Sequence, residues 1–571
     1  MTTPEKIGLA RGVTHYGDPD FALYLRRSFA RSMGYGDEML ARPVIGIANT
    51  ASGFNNCHRL LPELIEAIRR GVLAAGGLPL EFPVISLGEP FLHPTSLMFR
   101  NLMSMDVEEM IRAQPMDAVV LVGGCDKTVP ALLMGALSAD KPAILVVAGP
   151  MMTGRHQDER LGACTDCRRF WAQFRAGALS EPEIRGIESR LATTAGTCPV
   201  MGTASTMACL AETLGMILPG TAAIPAVHAD RLRAGEASGA RAVALAMERL
   251  TPRRIVTPAA VENALRMLLA LGGSTNGILH LAAIAGRAGI EVALDRFNAL
   301  SDETPVLVDL KPTGPHYMED FFSAGGLGAV LRELKPALHL DTVSVTGQTL
   351  EERLAAEPAY VDRKVVRSAA EPIAVEGGLV ALFGSLAPGG AILKRSAADA
   401  KLFEHEGRAV VFASLEELSA RIDDPDLDVT PDDVLVLQNA GPRSGSGMPE
   451  AGYLPIPGRL GRQGVKDMIR ISDARMSGTA FGTIVLHVTP EAAVGGPLGL
   501  VRSGDRIRLS VAGRRLDLLV PDDVLAARAA AAPPLPTAPL RGYARLYHEH
   551  VLAADQGCDF DFLRAVSGAA P

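Results

Sequence analysis

The chain offers no apolar run that could span a bilayer. Ala118–Val122 and Ala143–Ala148 fall far short of the roughly 20 residues a crossing helix needs. It has no dense Lys/Arg block either, and its formal net charge of -8 disfavours a phosphate backbone. Nucleic acid is thereby excluded as a main partner. The start, Met1-Thr2-Thr3-Pro4-Glu5-Lys6, shows no basic segment leading into an apolar stretch, so no secretory signal is read and a cytoplasmic address is expected. No G-x-G-x-x-G follows a first strand, which argues against a dinucleotide-dependent oxidoreductase. Internal repeats are missing, and the one biased segment is the Ala/Pro-rich connector Ala526–Pro539.

Cysteine is sparse and scattered, at positions 57, 125, 164, 167, 198, 209 and 558. In a large chain without a secretory signal this favours free thiols, metal ligation or catalysis over a disulfide framework. Only Cys164 and Cys167 form a C-x-x-C. No second pair or histidine pair stands at zinc-site spacing, so a zinc ribbon has little support.

What is present describes an ordinary globular protein. At 571 residues, with 48% hydrophobic and 21% charged residues, the chain exceeds one core, and two domains are expected. Strand-like runs Pro43–Thr50, Pro83–Leu87, Ala118–Val122 and Ala143–Ala148 alternate with helical patterns such as Leu60–Ala75. That alternation predicts an α/β domain with a mainly parallel sheet. Near residue 370 the pattern changes to strands at Gly377–Val380, Val434–Leu437, Thr483–Val488 and Arg506–Val511, separated by loops rich in Gly, Pro and Asp. The expected division is 1–370 and 371–571. The tail from Gly542 to Phe562 holds enough aromatic and apolar residues to dock.

The run Ala118–Val122 ends in Gly123-Gly124-Cys125-Asp126-Lys127-Thr128, a glycine turn before a helical stretch, which is where α/β proteins place ligands. A soft donor, Cys125, stands there beside a hard one, Asp126. Cys57 sits at a similar strand-to-helix junction. Cys198 precedes Pro199, a residue suited to a helix's first turn. Three thiolates without a fourth suit an iron–sulfur cluster with an open position, although spacing alone does not establish one. Glu89, Asp126 and Glu450 are carboxylates of the kind that hold Mg²⁺. Gly272-Gly273-Ser274-Thr275-Asn276-Gly277 opens another helix, with Ser274 or Thr275 available as cap, and reads as a plain helix start before it reads as an anion site.

Taken in order, Asn56-Cys57-His58, Gly124–Thr128, Gly196-Thr197-Cys198, Gly272–Asn276, Gly447-Met448-Pro449-Glu450 and Ile471–Gly478 resemble the IlvD/Edd dehydratases over nearly the whole chain. Leu87–Pro90, Gly162–Arg169, Ser472–Thr479 and Gly557–Phe562 point to the sugar-acid branch rather than the branched-chain dihydroxy-acid branch. The resemblance implies an α/β fold whose C-terminal domain is strand-rich, β-barrel-like and swivelling. It implies a 2Fe–2S cluster (alternatively 4Fe–4S) on Cys57, Cys125 and Cys198. It also implies Mg²⁺ on Glu89, Asp126, Glu450 and a carbamylated Lys127, with Ser477 as the base. Cys164 and Cys167 are then read as structural. Ser274, Thr275, Asn276, Thr479 and His93 are expected near the substrate, and Asp473 and Arg475 to order the Ser477 loop.

The implied reaction removes water from a 2,3-dihydroxy acid such as a pentonate and leaves a 2-keto-3-deoxy acid. The partner is a small acid, with no nucleic acid and no membrane, and a homodimer or homotetramer is implied. Two loops depart from the family pattern, Arg443–Glu450 and the His93 segment, and both bear on substrate preference. The competing readings are a dihydroxy-acid dehydratase of branched-chain amino-acid synthesis, a broad-range dehydratase, and a non-catalytic iron–sulfur redox protein.

Overall fold

The computed structural model describes residues 7–356 and 359–565, so the Met1–Lys6 start lies outside it. Four strands, β1 (Val44–Asn49), β2 (Leu78–Pro83), β3 (Ala118–Gly123) and β4 (Ala143–Val147), form a parallel sheet in the order β2-β1-β3-β4. β3 and β4 are buried at every position, as expected of parallel strands covered by helices on both faces. The second strand is not Pro83–Leu87 as the sequence predicts but Leu78–Pro83, which ends where the predicted strand would begin. Pro79 and Pro83 obscured it; both are tolerated because β2 is an edge of the sheet, where a missing N–H costs no ladder bond. Val84 to Leu87 instead carry the chain to Glu89.

Helices pack closely on this sheet. A Cβ on Gly71 of helix Leu61–Ala74 would lie 1.9 Å from the Glu236 carbonyl oxygen, so glycine is what lets helix Ala229–Glu248 approach. A small antiparallel hairpin, β5 (Gly154–His156) and β6 (Glu159–Leu161), then leads into helix Thr165–Arg175.

The second half is built on eight strands: β7 (Val380–Leu382), β8 (Gly390–Leu393), β9 (Glu404–Phe412), β10 (Val434–Leu437), β11 (Arg470–Ser472), β12 (Ile484–Thr489), β13 (Arg506–Ser510) and β14 (Arg515–Leu518). Their order is β14-β13-β9-β10-β11-β12-β8-β7, with β9 to β12 mutually parallel and the flanks antiparallel. A bridge between Phe383 and Arg515 joins the two ends, so the sheet is nearly closed and barrel-like, and the fold class is α/β throughout. The first of these strands starts at Val380 rather than Gly377. Gly377 and Gly378 are drawn out of it by donating their N–H groups to the Ser301 and Leu269 carbonyls.

The tail docks, as expected. Arg287, fully buried, pairs with Asp559 at 2.6 and 2.9 Å, and Arg100 donates to the carbonyls of Gly557 and Cys558. Cys558, Tyr547 and Phe560 pack against Met448 and Leu97 in one apolar cluster, which braces the loop bearing Glu450. Among the described residues no helix is long and apolar enough to cross a membrane.

Candidate active site

The site gathers at the carboxyl ends of β1, β3 and β4, the edge of a parallel sheet where ligands bind. After β1 the chain turns through the short 3₁₀ helix Asn56–His58, which carries Cys57. After β3 it turns through Gly123-Gly124, and Cys125 takes the left-handed backbone region at φ +66. A Cβ on Gly124 would lie 2.7 Å from that of Ala148, so the turn packs directly on the strand beside it. His58 ties the two turns together. Its Nε2 accepts from the Gly124 N–H at 2.8 Å while its Nδ1 lies 2.8 Å from the Thr50 carbonyl oxygen. Burial holds the ring below its usual pKa, in line with a neutral imidazole that accepts at one nitrogen and donates from the other.

Cys198 arrives from after β4. Thr197 bridges Pro150, and the backbone around it is engaged by neighbours: Met201 N–H donates to the Lys311 carbonyl and Met318 N–H to that of Pro199. Pro199 therefore does not open a helix as predicted; the helix begins at Thr203. The structure brings Cys57, Cys125 and Cys198 together. Contact with the Cys125 thiol and burial push the Cys57 thiol well above its ordinary range. The Cys164 contact pulls the Cys198 thiol down, but burial and its neighbours Cys57, Asp126 and Cys125 raise it on balance. Thiols packed against one another in a buried corner suit a cationic metal group, which stabilises the thiolates. Cys164, which the sequence pairs with Cys167 in a structural role, has its Sγ 2.9 Å from Cys198 Sγ.

On the other side of Cys125, oxygens of Glu89, Asp126 and Glu450 all lie within 4.8 Å of one another. The buried Lys127 Nζ sits among them, 2.9 Å from Glu89 and 3.5 Å from Asp126 and Glu450. Arg475, also buried, reaches Glu89 at 2.9 Å and pairs with Glu450. Desolvation raises the Glu89 carboxyl, but Arg475 and Lys127 outweigh it and hold the group below the usual carboxylate range. Burial, with Glu450 and Glu89 nearby, pushes Asp126 up to about 6 despite Lys127.

This donor set fits a divalent ion. Three carboxylates facing two cationic side chains leave one net negative charge. A carbamate on Lys127 would make four anionic groups facing Arg475 and the dication, and again leave one. Modification and metal binding together thus preserve the charge of the pocket.

Ser477 lies 6% exposed in the loop after β11, its hydroxyl 2.8 Å from that of Thr479. The loop is fixed from both ends. Asp473 accepts from the N–H groups of Ala440 and Ala492, and Asn276 Nδ2 donates to the Met476 carbonyl at 3.1 Å. Ser274 accepts from the Asn276 N–H and contacts Thr203. Ser274 and Asn276 therefore support the Ser477 loop, while Thr275 Oγ1 and Asn276 Oδ1 are buried without a partner and stay available to a polar ligand. His93 is exposed, on the segment between Glu89 and Thr95.

Four participants escaped the sequence reading: His58, which pins the two cysteine turns; His280 and His487, buried near Arg475 with unpartnered Nε2 atoms; and Lys394. His58 had a signal, standing directly after Cys57, but the others lie far away in sequence. Lys394 is fully buried and donates to the Gly478 carbonyl at 3.3 Å. Desolvation pulls its pKa down to about 7. With the folded value below the unfolded one, the unfolded chain binds the extra proton between them. The penalty is therefore complete below pH 7 and is relieved as pH rises toward the unfolded lysine value. Lys394→Met is expected to gain more thermal stability over wild type at pH 6 than at pH 9; an equal shift in Tm at both would show that the amine is not desolvated.

Buried thiols on one side of a turn and three clustered carboxylates on the other, with a serine-bearing loop packed against them, make a candidate metal-binding enzyme site. The chain matches the family model for the dihydroxy-acid/6-phosphogluconate dehydratase N-terminal domain over residues 42–353 and the C-terminal model over 364–558. It is 47% identical over 569 residues to L-arabonate dehydratase of Azospirillum brasilense, covering 98% of this chain and 97% of that one. It is also 47% identical over 532 residues to 6-deoxy-6-sulfo-D-gluconate dehydratase of Pseudomonas putida, covering 93% and 92%. Against dihydroxy-acid dehydratase of Syntrophobacter fumaroxidans the identity is 40% over 509 residues, covering 88% and 90%. The chain belongs to the dihydroxy-acid/6-phosphogluconate dehydratase family and is a hydro-lyase.

Proposed function

We propose that the enzyme dehydrates a sugar acid of pentonate type, taking the C2 proton and the C3 hydroxyl of a 2,3-dihydroxy acid and yielding the 2-keto-3-deoxy acid. The observation that carries this reading is the placement of Cys125 and Asp126. Consecutive residues place the two donor sets side by side, the arrangement that an acid with its carboxylate at C1 and its leaving hydroxyl at C3 would require. When bound, Mg²⁺ on Glu89, Asp126, Glu450 and carbamylated Lys127 supplies charge stabilisation at the acid's carboxylate, and a 2Fe–2S (or 4Fe–4S) cluster on Cys57, Cys125 and Cys198 supplies a Lewis-acid position at C3.

The chain's own residues do the rest. Ser477 Oγ takes the C2 proton, and Thr479, hydrogen-bonded to it, orients the hydroxyl. Thr275 Oγ1 and Asn276 Oδ1 provide partners for hydroxyls further along the substrate. An electron carrier would have no use for the carboxylate set. Scattered free thiols fit a reducing, cytoplasmic setting. The exposed aromatic cluster Tyr16, Phe21 and Tyr24 supports a homo-oligomer.

The test compares arabinonate, xylonate, gluconate and 2,3-dihydroxyisovalerate in a keto-acid assay on reconstituted enzyme with magnesium. A site that hydrogen-bonds hydroxyls rejects analogues lacking them by roughly 10⁴-fold, so a sugar acid is expected to lead in kcat/KM by at least about 100-fold. Preference for dihydroxyisovalerate would assign the enzyme to the branched-chain reading instead.

A further inference from the structure

The three-thiol cluster site has a fourth thiol at its edge. Cys164 Sγ stands 2.9 Å from Cys198 Sγ, inside ordinary sulfur–sulfur contact and well beyond a disulfide bond. Two thiolates on one tetrahedral metal, each about 2.3 Å from it, lie roughly 3.8 Å apart, so a shift of about 1 Å would suit both to a shared ion. Four thiols gather here, Cys57 against Cys125 and Cys198 against Cys164, with Cys167 touching Cys164 on its other side and Cys164 close to Cys57. Two pairs of thiols are what a two-iron cluster with no open position would use.

Cys164 does not reach this place by chance packing. Its backbone is held at φ +78, which costs a non-glycine residue energy and persists only where neighbours enforce it. The enforcing contacts are present. Asp166, fully buried, accepts from the Gly162 N–H at 2.7 Å, from Lys311 at 2.7 Å and from Tyr317 at 2.9 Å. Thr165 Oγ1 donates to the Thr479 carbonyl at 3.0 Å, which ties the residue after Cys164 to the loop of Ser477. Cys167 Sγ lies 2.9 Å from the Cys164 carbonyl oxygen and also contacts the Cys164 thiol, so that Cys164 stands between Cys167 and Cys198.

We propose that Cys164 is a fourth, displaceable thiol ligand of the cluster held by Cys57, Cys125 and Cys198, occupying the position that the substrate hydroxyl needs. The inference rests on the cluster assignment of the proposed function. On ligation the thiol gives its proton to solvent. When substrate enters, the metal–sulfur bond breaks and the thiolate takes a proton back, with no change in oxidation state. The bond from Thr165 to Thr479 makes the same movement felt at the loop carrying the base.

The experiment uses reconstituted full-length enzyme. Iron and sulfide content, the visible and reduced-state electron paramagnetic resonance spectra, and the rate of iodoacetamide labelling at Cys164, mapped by mass spectrometry, are measured for wild type and Cys164→Ser. Expected are equal iron and sulfide in both proteins, spectra shifted by the oxygen-for-sulfur exchange, and labelling of wild-type Cys164 at least about tenfold slower with the cluster than after chelator stripping. Addition of the pentonate should return the fast rate. Superimposable spectra together with equal labelling in loaded and stripped protein would overturn the proposal, as would a Cys164–Cys198 disulfide in the loaded enzyme. A wild type that takes up no iron overturns both this and the cluster assignment. Normal cluster loading without dehydratase activity overturns only the proposed function, because the Cys164 readouts do not depend on turnover.

Discussion

Ser477→Ala is expected to lower kcat by about 10²–10⁴-fold, with KM and the iron, sulfide and magnesium contents close to wild type. A free serine hydroxyl is far too weak a base for a C2 proton, so the residue matters only if its surroundings favour the alkoxide. Those surroundings are visible: a 6% exposed side chain, in a loop that also presents Arg475 to the Glu89 and Glu450 carboxylates of the proposed magnesium site. A nearby dication lowers the pKa of a hydroxyl as it does that of water. The substitution should not disturb the fold, because the loop hangs on Asp473, on the Met476 carbonyl and on the Arg475 network rather than on the Ser477 hydroxyl. Its one close side-chain partner is Thr479, a bond worth about 1 kcal/mol. Thr479→Val then serves as a graded control, expected to reduce kcat by a smaller factor through loss of orientation. Near-normal turnover in a fully loaded Ser477→Ala protein would leave the serine as a turn cap and send the search for the base elsewhere in the pocket.

The turn at Gly123–Thr128 was legible because everything it needs is local: an apolar strand, two glycines, then donors on consecutive residues. Cys57 was legible for the same reason. Glu450 and Ser477 were not readable from local pattern, since a carboxylate or a serine in a Gly-rich loop is ordinary; only the family motifs singled them out. The Cys164–Cys198 contact was invisible because it depends on the β5–β6 hairpin and the Asp166–Lys311–Tyr317 anchor folding the chain back on itself. In the second half, β9 escaped notice because its burial is irregular along its nine residues rather than cleanly alternating. Strand order there, and closure through Phe383 and Arg515, are long-range outcomes that no window of sequence contains. Arg475 was expected to order its loop; that it pairs with Glu89, 386 positions away, follows only from the assembled fold.

That pairing makes Arg475 a residue whose loss should cost stability as well as activity. Its guanidinium is fully buried and divides its donors among Glu89, Glu450, the Thr95 hydroxyl at 2.8 Å and the Met448 carbonyl at 2.9 Å. With Lys127, it joins the Glu89 segment after the first sheet's β2 to the Glu450 loop of the second half. Arg475→Leu leaves three carboxylates, two of them its former partners, in a dry pocket with only Lys127 to compensate them. Breaking a buried pair from one side costs about 3–5 kcal/mol, so the variant is expected to melt several degrees lower in metal-free buffer. Lysine is a poor substitute, since a single ammonium cannot span two carboxylates and a carbonyl in the planar geometry used here. Magnesium distinguishes this account from a simple packing defect. A ligand that binds only the folded state stabilises it in proportion to its affinity, and removing a competing cation strengthens the carboxylates' demand for one. The Tm of Arg475→Leu should therefore rise more steeply with Mg²⁺ than that of wild type, even where activity stays lost because Glu450 is no longer aimed. A variant that melts low but responds to Mg²⁺ no more than wild type would mean that Arg475 acts by filling space, and that the three carboxylates find their places without it.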